Sequence, residues 1–281
     1  MVNLSLEIAL QLMTEKLNII PSADVVGKRL LKMESIEIYN GDCLKILDSL
    51  IQKKLKVDLI LTDLPYGTTS CSWDQIVPFE EMWKRIFEIR KDNTAILLFG
   101  MEPFSSLLRC SNLKEYRYDV YWEKERITNI FQCKRRFGKI VENISIFYKN
   151  QPTYNPQMID YFGPKRGNKI DRGLLGKLID TSEKKPLEYK DTGKRYPTQI
   201  LKFQRDILTS NLHPTQKPVA LLEFLIKTFS NENDIVLDFT MGSGSTGIAC
   251  KNLNRKFVGI EKDSNYFQIA KNRLNTYDKD L

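Results

Sequence analysis

Several short, continuously apolar runs, each followed by a segment with helical spacing, constrain this chain more than any other feature. VDLILTD (57–63), TAILLFG (94–100), DIVLDF (234–239) and KFVGIE (256–261) read as buried strands. IEIYNG (36–41), YDVYWEK (118–124) and ENISIFYK (142–149) read as further strands. Helical spacing appears in DCLKILDSL (42–50), PFEEMWKRIFEIRK (78–91), FSSLLRCSN (104–112), PVALLEFLIKTF (218–229), GSTGIACKNL (244–253) and SNYFQIAKNRL (264–274). In the second of these, Phe79, Met82, Trp83, Ile86 and Phe87 share one apolar face. Strands alternating with helices predict an α/β fold built on a doubly wound, mostly parallel sheet. Trp83 and Trp122 are assigned to its core.

The pattern breaks in two places. Residues 1–32 have helical spacing interrupted at Pro21 and read as a helical N-terminal extension. Residues 150–212 are rich in Pro, Gly, Lys and polar residues and read as a loop-rich insertion. The catalytic domain is then expected in 33–149 and 213–281. Charge follows the same division. Residues 134–205 hold 17 Lys+Arg against 7 Asp+Glu, a net +10, whereas the whole 281-residue chain carries +8. Solubility alone does not concentrate charge in this way, and a surface for a polyanion does. Lys134, Arg135, Arg136, Lys165 and Arg166 are the candidate phosphate contacts.

Other classes are disfavoured. No apolar run reaches the ~18 residues of a membrane span. LSLEIALQLM is interrupted by Glu7 and no small-residue cleavage site follows, so it is not read as a signal peptide. Five cysteines without a CxxC spacing read as reduced thiols, which points to the cytoplasm. The single histidine, His213, disfavours a His-based triad or a multi-His metal site. It precedes Pro214 and is assigned a structural hydrogen bond, and no metal is expected.

Two loops carry chemistry. The strand DIVLDF runs into TMGSGSTG and then a helix, so Gly242, Gly244 and Gly247 have GxGxxG spacing at a helix N-terminus. Alone that spacing is weak. The next strand ends at Glu261, where a carboxylate can accept both hydroxyls of a ribose. A nucleoside cofactor follows. The motif stands late in the chain and no hydride-transfer histidine accompanies it, so S-adenosylmethionine fits better than a nicotinamide. The second loop is Asp63-Leu64-Pro65-Tyr66 at the end of VDLILTD. Pro65 keeps Leu64 out of the α region. The Leu64 carbonyl and the Asp63 carboxylate offer two acceptors, which suits an exocyclic NH₂ with two hydrogens to donate. Tyr66 adds a flat face for a base.

These motifs, in this order, resemble the β class of DNA amino-methyltransferases, which methylate adenine N6 or cytosine N4. DLPY comes first, the basic insertion follows, and HPTQKP (213–218) and DFTMGSG (238–244) come late. IYNGDCL, FYKNQPTYNP, RYPTQIL and GIEKDSNYFQIA add to the likeness, which spans roughly residues 33 to 275. It implies a Rossmann-like methyltransferase fold and S-adenosylmethionine as cofactor. By the same resemblance, Asp63, Leu64 and Pro65 form the amine-holding site and Tyr66 stacks on an extruded base. Asp42 and the Cys43 amide contact the cofactor adenine, and Glu261 its ribose. Asp238, Phe239, Thr240, Gly242, Ser243 and Gly244 line its methionine part, with Lys217 near the carboxylate. Two departures stand out: Leu64 replaces the commoner proline of DPPY, and Val141-Glu142 replaces a common His-Glu.

Asp at the first position of DLPY favours adenine over cytosine, since N4-cytosine enzymes more often carry Ser there. A base inside a duplex cannot reach such a pocket and must flip out, and the loop GTTSCSWD (67–74) is expected to order around it. The alternatives are an N4-cytosine enzyme and a catalytically silent DNA-binding subunit. DNA is the expected partner. By family analogy a cognate restriction endonuclease is the functional partner, and a homodimer is left open.

Overall fold

The structure is a computed structural model that describes residues 35–67, 75–163, 192–206 and 216–276. The N-terminal extension, most of the GTTSCSWD loop, Lys165, Arg166 and His213 lie outside the described residues. The chain divides into a larger unit, residues 1–155 and 199–281, and a smaller one, Pro156–Thr198. Residues 150–155 and 199–206, which the sequence pattern assigns to the insertion, therefore group with the larger unit.

In chain order the strands are β1 (Ile36–Asn40), β2 (Val57–Asp63), β3 (Arg90–Gly100), β4 (Tyr116–Glu123), β5 (Val141–Phe147), β6 (Ile159–Asp160), β7 (Lys194–Arg195), β8 (Ile200–Lys202), β9 (Ile235–Asp238) and β10 (Lys256–Glu261). Eight of them form the sheet of the larger unit, in the order β1-β10-β9-β2-β3-β5-β4-β8. All neighbours run parallel except β5, which is antiparallel to β3 and β4. Helices cover both faces, as continuously apolar strands require. Leu47 of α1 (Cys43–Gln52), Met82 and Trp83 of α2 (Phe79–Ile89) and Leu108 of α3 (Phe104–Ser111) pack with Ile60, Ile96 and Leu98. On the opposite face, Leu222 and Leu225 of α4 (Val219–Phe229), Ile248 of α5 (Ser245–Asn252) and Leu274 of α6 (Ser264–Thr276) pack with Leu59, Leu61, Leu97 and Trp122. No helix among the described residues is long and apolar enough to cross a membrane.

Two details depart from the sequence pattern. Phe87 is 43% exposed, although its helical spacing puts it on the buried face. It stacks on Trp83 at 5.9 Å and lies under the Arg90 guanidinium, at the rim of the packed stripe. Strand β8 falls where the pattern shows only loop, because three residues are too few to display a period. It forms by pairing with β4, Trp122 opposite Leu201, and the Trp122 Nε1–H donates to the Phe203 carbonyl at 2.8 Å. In the smaller unit, β6 and β7 form an antiparallel pair, with the Arg195 guanidinium 4.3 Å from the Tyr161 ring centroid.

The topology fixes where a ligand can sit. From β2 the chain crosses to β3 on one side, and from β9 to β10 on the other, while β2 and β9 are neighbours. The carboxyl ends of β2 and β9 therefore flank the switch point of the sheet, where open α/β folds bind ligands.

Candidate active site

Both sequence motifs arrive at this switch point. DLPY leaves β2 and the glycine loop leaves β9, and together they line a cavity of about 850 Å³. Asp42, Cys43, Leu64, Pro65, Tyr66, Lys217, Phe239, Thr240, Gly242, Ser243 and Glu261 also border it. That volume falls within the range of small-molecule sites, roughly 300–1,000 Å³.

At one end, Asp42 caps α1, accepting from the Leu44 and Lys45 amides at 3.1 and 3.3 Å. Glu261 braces the glycine loop. One carboxylate oxygen accepts from the Gly242 amide at 2.9 Å and the other from the Asp263 amide at 2.8 Å. Burial pushes its carboxyl up, against the pull of those two amides. Gly244 caps α5 with φ 78°, and a Cβ there would meet Ala270 Cβ at 3.1 Å, so the loop admits no larger residue without movement. Gly247 lets α5 lie directly on β10, since its Cβ would come within 2.9 Å of the Phe257 ring.

The two loops are tied together by hydroxyls. Thr62 Oγ1 donates to Asp238 Oδ1 at 2.5 Å, and Thr246 Oγ1 to Asp238 Oδ2 at 2.6 Å. Thr240 Oγ1 donates to the backbone carbonyl of Asp63 at 2.9 Å. Asp238, expected to line the cofactor, borders the cavity but engages both carboxylate oxygens in these internal bonds. The reason is its burial: an unpaired carboxylate there would be costly.

Burial, with some help from the Asp63 charge, raises the Asp238 carboxyl from 3.8 to about 6 despite its three hydrogen bonds. A raised value means the folded state holds the proton more tightly than the unfolded chain. The stability this contributes is complete below pH ~4 and is lost as pH rises through ~6. Relative to an Asp238→Asn variant, the wild type is expected to lose about 3 kcal/mol between pH ~4 and pH ~7, the equivalent of roughly two units. Chemical denaturation of both proteins at the two pH values checks this; a constant difference would remove Asp238 as the titrating group.

At the other end lies an alternating chain of charge. Tyr66 Oη donates to Asp63 Oδ1 at 2.5 Å. Lys217 Nζ donates to Asp63 Oδ2 and lies 3.4 Å from Glu142 Oε2. Lys124 Nζ donates to Glu142 Oε1. Glu142, Lys217 and Lys124 all have under a tenth of their side chains exposed. Burial opposes the charge on Glu142, but Lys217 and Lys124 more than offset it and hold its carboxyl below the ordinary range. Burial likewise opposes the Lys217 ammonium, and Asp63 and Glu142 more than offset it, so Lys217 is raised. Burial raises Asp63, with Glu142 adding to it and Lys217 and Tyr66 pulling the other way. The family resemblance puts Lys217 beside the cofactor carboxylate. On the cavity wall its ammonium sits on Asp63 and Glu142, whose charges offset the cost of burying it. Glu142 has no role in the sequence pattern, where it stands only as the retained half of His-Glu, the departure being Val141.

A finger between β4 and β5 overhangs the cavity. Lys134, Arg135 and Arg136 are exposed on it, and Phe131 and Phe137 are 100% and 98% exposed. Phe131 and Arg136 reach the cavity wall. The interleaving of aromatic and basic residues in FQCKRRF is the signal that could single out these two phenylalanines in the sequence.

A family model described as DNA methylase (N6_N4_Mtase) matches residues 57–272. The chain belongs to the DNA methylase family. It is 29% identical over 271 residues to the type II methyltransferase M2.LlaDCHI of Lactococcus lactis subsp. cremoris, covering 86% of this chain and 90% of that one. It is also 29% identical over 261 residues to the DNA adenine methyltransferase YhdJ of Escherichia coli K12, covering 86% and 83%. Among solved structures, M1.HpyAVI in complex with SAM superposes with a TM-score of 0.58 at 30% identity, over 85% of this chain and all of that one. The cytosine-N4-specific PvuII DNA methyltransferase shares the fold at TM-score 0.59 and 15% identity, over 89% of each chain. This DNA methylase thus has the Rossmann-like methyltransferase fold, with the DLPY and glycine loops at its switch point.

Proposed function

We propose that this DNA methylase transfers a methyl group from S-adenosylmethionine to N6 of adenine in a specific DNA sequence, acting on a base flipped out of the duplex. The observation that carries the proposal is the shared cavity: DLPY, the glycine loop and Glu261 line one space at the switch point. Adenine rather than cytosine is supported by Asp63 at the head of DLPY and by the likeness to a relative named as an adenine methyltransferase. The type II names of other relatives support a modification role beside a companion nuclease.

The residues fit the cofactor. Gly242, which borders the cavity, adopts a positive φ of 54° and carries no side chain where a ligand must approach closely, whereas Gly244, φ 78°, lies off the cavity and lets the loop pack on Ala270. Glu261 accepts one hydrogen bond at each oxygen, from the Gly242 and Asp263 amides, and keeps lone pairs for ribose hydroxyls. Asp42 and Tyr66 then mark the two ends of the cavity. When bound, the cofactor supplies an electrophilic methyl on a sulfonium.

The protein's share is positioning and electrostatics. The amine of a base is a weak nucleophile, because its lone pair is delocalised into the ring. Acceptors at Asp63 and the Leu64 carbonyl favour a more tetrahedral nitrogen and stabilise the positive charge that develops there. Tyr66, held by Asp63 and packed 5.0 Å from Phe104, offers its ring to the base and offsets part of the forfeited stacking.

Incubation with methyl-labelled cofactor and mixed-sequence DNA, followed by nucleoside analysis, tests the reading; N6-methyladenine is expected. Glu261→Ala is expected to weaken cofactor binding by about 1–3 kcal/mol, the loss typical of hydrogen bonds to a charged group. Calorimetry on a folded variant with unchanged affinity would rule out the ribose role.

A further inference from the structure

We propose that Lys217 reads the ring nitrogen of the target base, donating to N1 of adenine (or N3 of cytosine) while Asp63 accepts from the neighbouring amine. The inference rests on the proposed function and extends it to what the pocket recognises. Lys217 Nζ and Asp63 Oδ2 stand in direct hydrogen-bond contact on the cavity wall, so a donor and an acceptor face the ligand side by side. Adenine and cytosine each present the matching pair along one edge, an amine that donates and a ring nitrogen that accepts. Guanine and thymine present the reverse, a carbonyl oxygen beside a ring N–H. Against them, Asp63 would face an oxygen and Lys217 a donor, and the buried groups would be left unpaired.

The geometry leaves room for this role. An ammonium has three hydrogens. One is on Asp63, and the ion pair with Glu142, 3.4 Å away, takes at most a second, which leaves a third for a ligand. Glu142 Oε2 is buried, Glu142 borders the cavity, and that oxygen has no hydrogen-bond partner among the described residues. Its ion pair with Lys217 is long, so it can accept a closer approach of that ammonium. When the amine takes up Asp63, Lys217 can shift towards that oxygen without losing an anionic partner. Lys124 holds the other oxygen of Glu142, and the Phe99 ring lies 5.1 Å from Nζ and limits its travel. Glu142 and Lys124 are thus positioning residues that keep Lys217 charged and aimed.

The test uses duplexes in which the target adenine is replaced by 1-deaza-, 3-deaza- or 7-deazaadenine, each removing one ring nitrogen. In single-turnover methylation by the wild-type protein, 1-deazaadenine is expected to be slower than the other two by on the order of 10–100-fold, as for one hydrogen bond to a charged donor. Lys217→Met combined with Glu142→Gln, which avoids stranding a buried carboxylate, is expected to be slower on adenine yet nearly indifferent to the loss of N1. Intrinsic differences among the analogues cancel in that double comparison. If the double variant does not fold, the wild-type series alone still decides. Equal rates for 1-deaza- and 7-deazaadenine in the wild type, or an undiminished 1-deaza penalty in the variant, overturn the role of Lys217. Should cytosine prove to be the methylated base, 3-deazacytosine takes the place of 1-deazaadenine. Failure to methylate either natural base would instead overturn the proposed function, and the inference with it.

Discussion

Asp63→Ala is expected to lower methyl transfer by about 10³-fold or more while leaving cofactor binding nearly intact. The carboxylate is one of two acceptors proposed for the reacting amine, and its attraction grows as the nitrogen becomes cationic. An interaction stronger in the transition state than in the ground state appears in turnover more than in binding. Losing one preorganised group of this kind costs roughly 10²–10³-fold elsewhere, and the removal of Lys217's partner adds to it here. Cofactor binding survives for a structural reason. The link from DLPY to the glycine loop runs from Thr240 Oγ1 to the backbone carbonyl of Asp63, and alanine keeps that carbonyl. Thr62 and Asp238 bind each other independently of the Asp63 side chain. Lys217 keeps Glu142 as a counter-ion, so the variant strands no buried ammonium. Labelled-methyl transfer and calorimetry on the same preparation separate the two effects. Full activity in Asp63→Ala would overturn the mechanism. N4-methylcytosine as the sole wild-type product would refute adenine and leave the role of Asp63 standing.

What can be read without coordinates is whatever the chain writes locally. VDLILTD and KFVGIE declare themselves as buried strands because nearly every residue between their ends is apolar or small, whatever the rest of the fold does. DLPY and the glycine loop are contiguous strings whose backbone constraints travel with them. Strand ends in a doubly wound sheet also collect on one edge, which brings Asp63, Asp238 and Glu261 near one another on topology alone. The charge chain is not legible in this way. Lys217 and Asp63 are 154 positions apart, and Lys124 and Glu142 are 18 apart across a finger with no periodicity. Only the pairing of β4 with β5, Trp122 opposite Glu142, brings that carboxylate to the catalytic edge. The inward turn of Asp238 has the same origin. It depends on Thr62 of the neighbouring strand, 176 positions away, which no local pattern announces.

DNA affinity is expected to fall steeply with salt, by about 10³–10⁵-fold between roughly 50 and 200 mM if six to ten phosphates are bound. The cause is the concentration of charge: a net +10 within residues 134–205 displaces condensed counterions from the duplex, and the drive to release them weakens as bulk salt rises. The finger between β4 and β5 is the part of that segment whose geometry bears on catalysis. Lys134, Arg135 and Arg136 are exposed on it, and Arg136 also borders the cavity. Neutralising all three is expected to flatten the plot of log affinity against log salt by about 2–3 units, close to one for each phosphate that is no longer neutralised. Phe131→Ala offers the contrasting case. Its side chain is fully exposed beside those charges and carries none itself, so removing it should lower affinity at every salt concentration and leave the slope unchanged. Fluorescence anisotropy over a salt series distinguishes the two kinds of interaction. An affinity that hardly varies with salt in the wild type would make the basic segment a solvated surface, and a slope unaltered by the triple change would move the phosphate-binding residues off the finger.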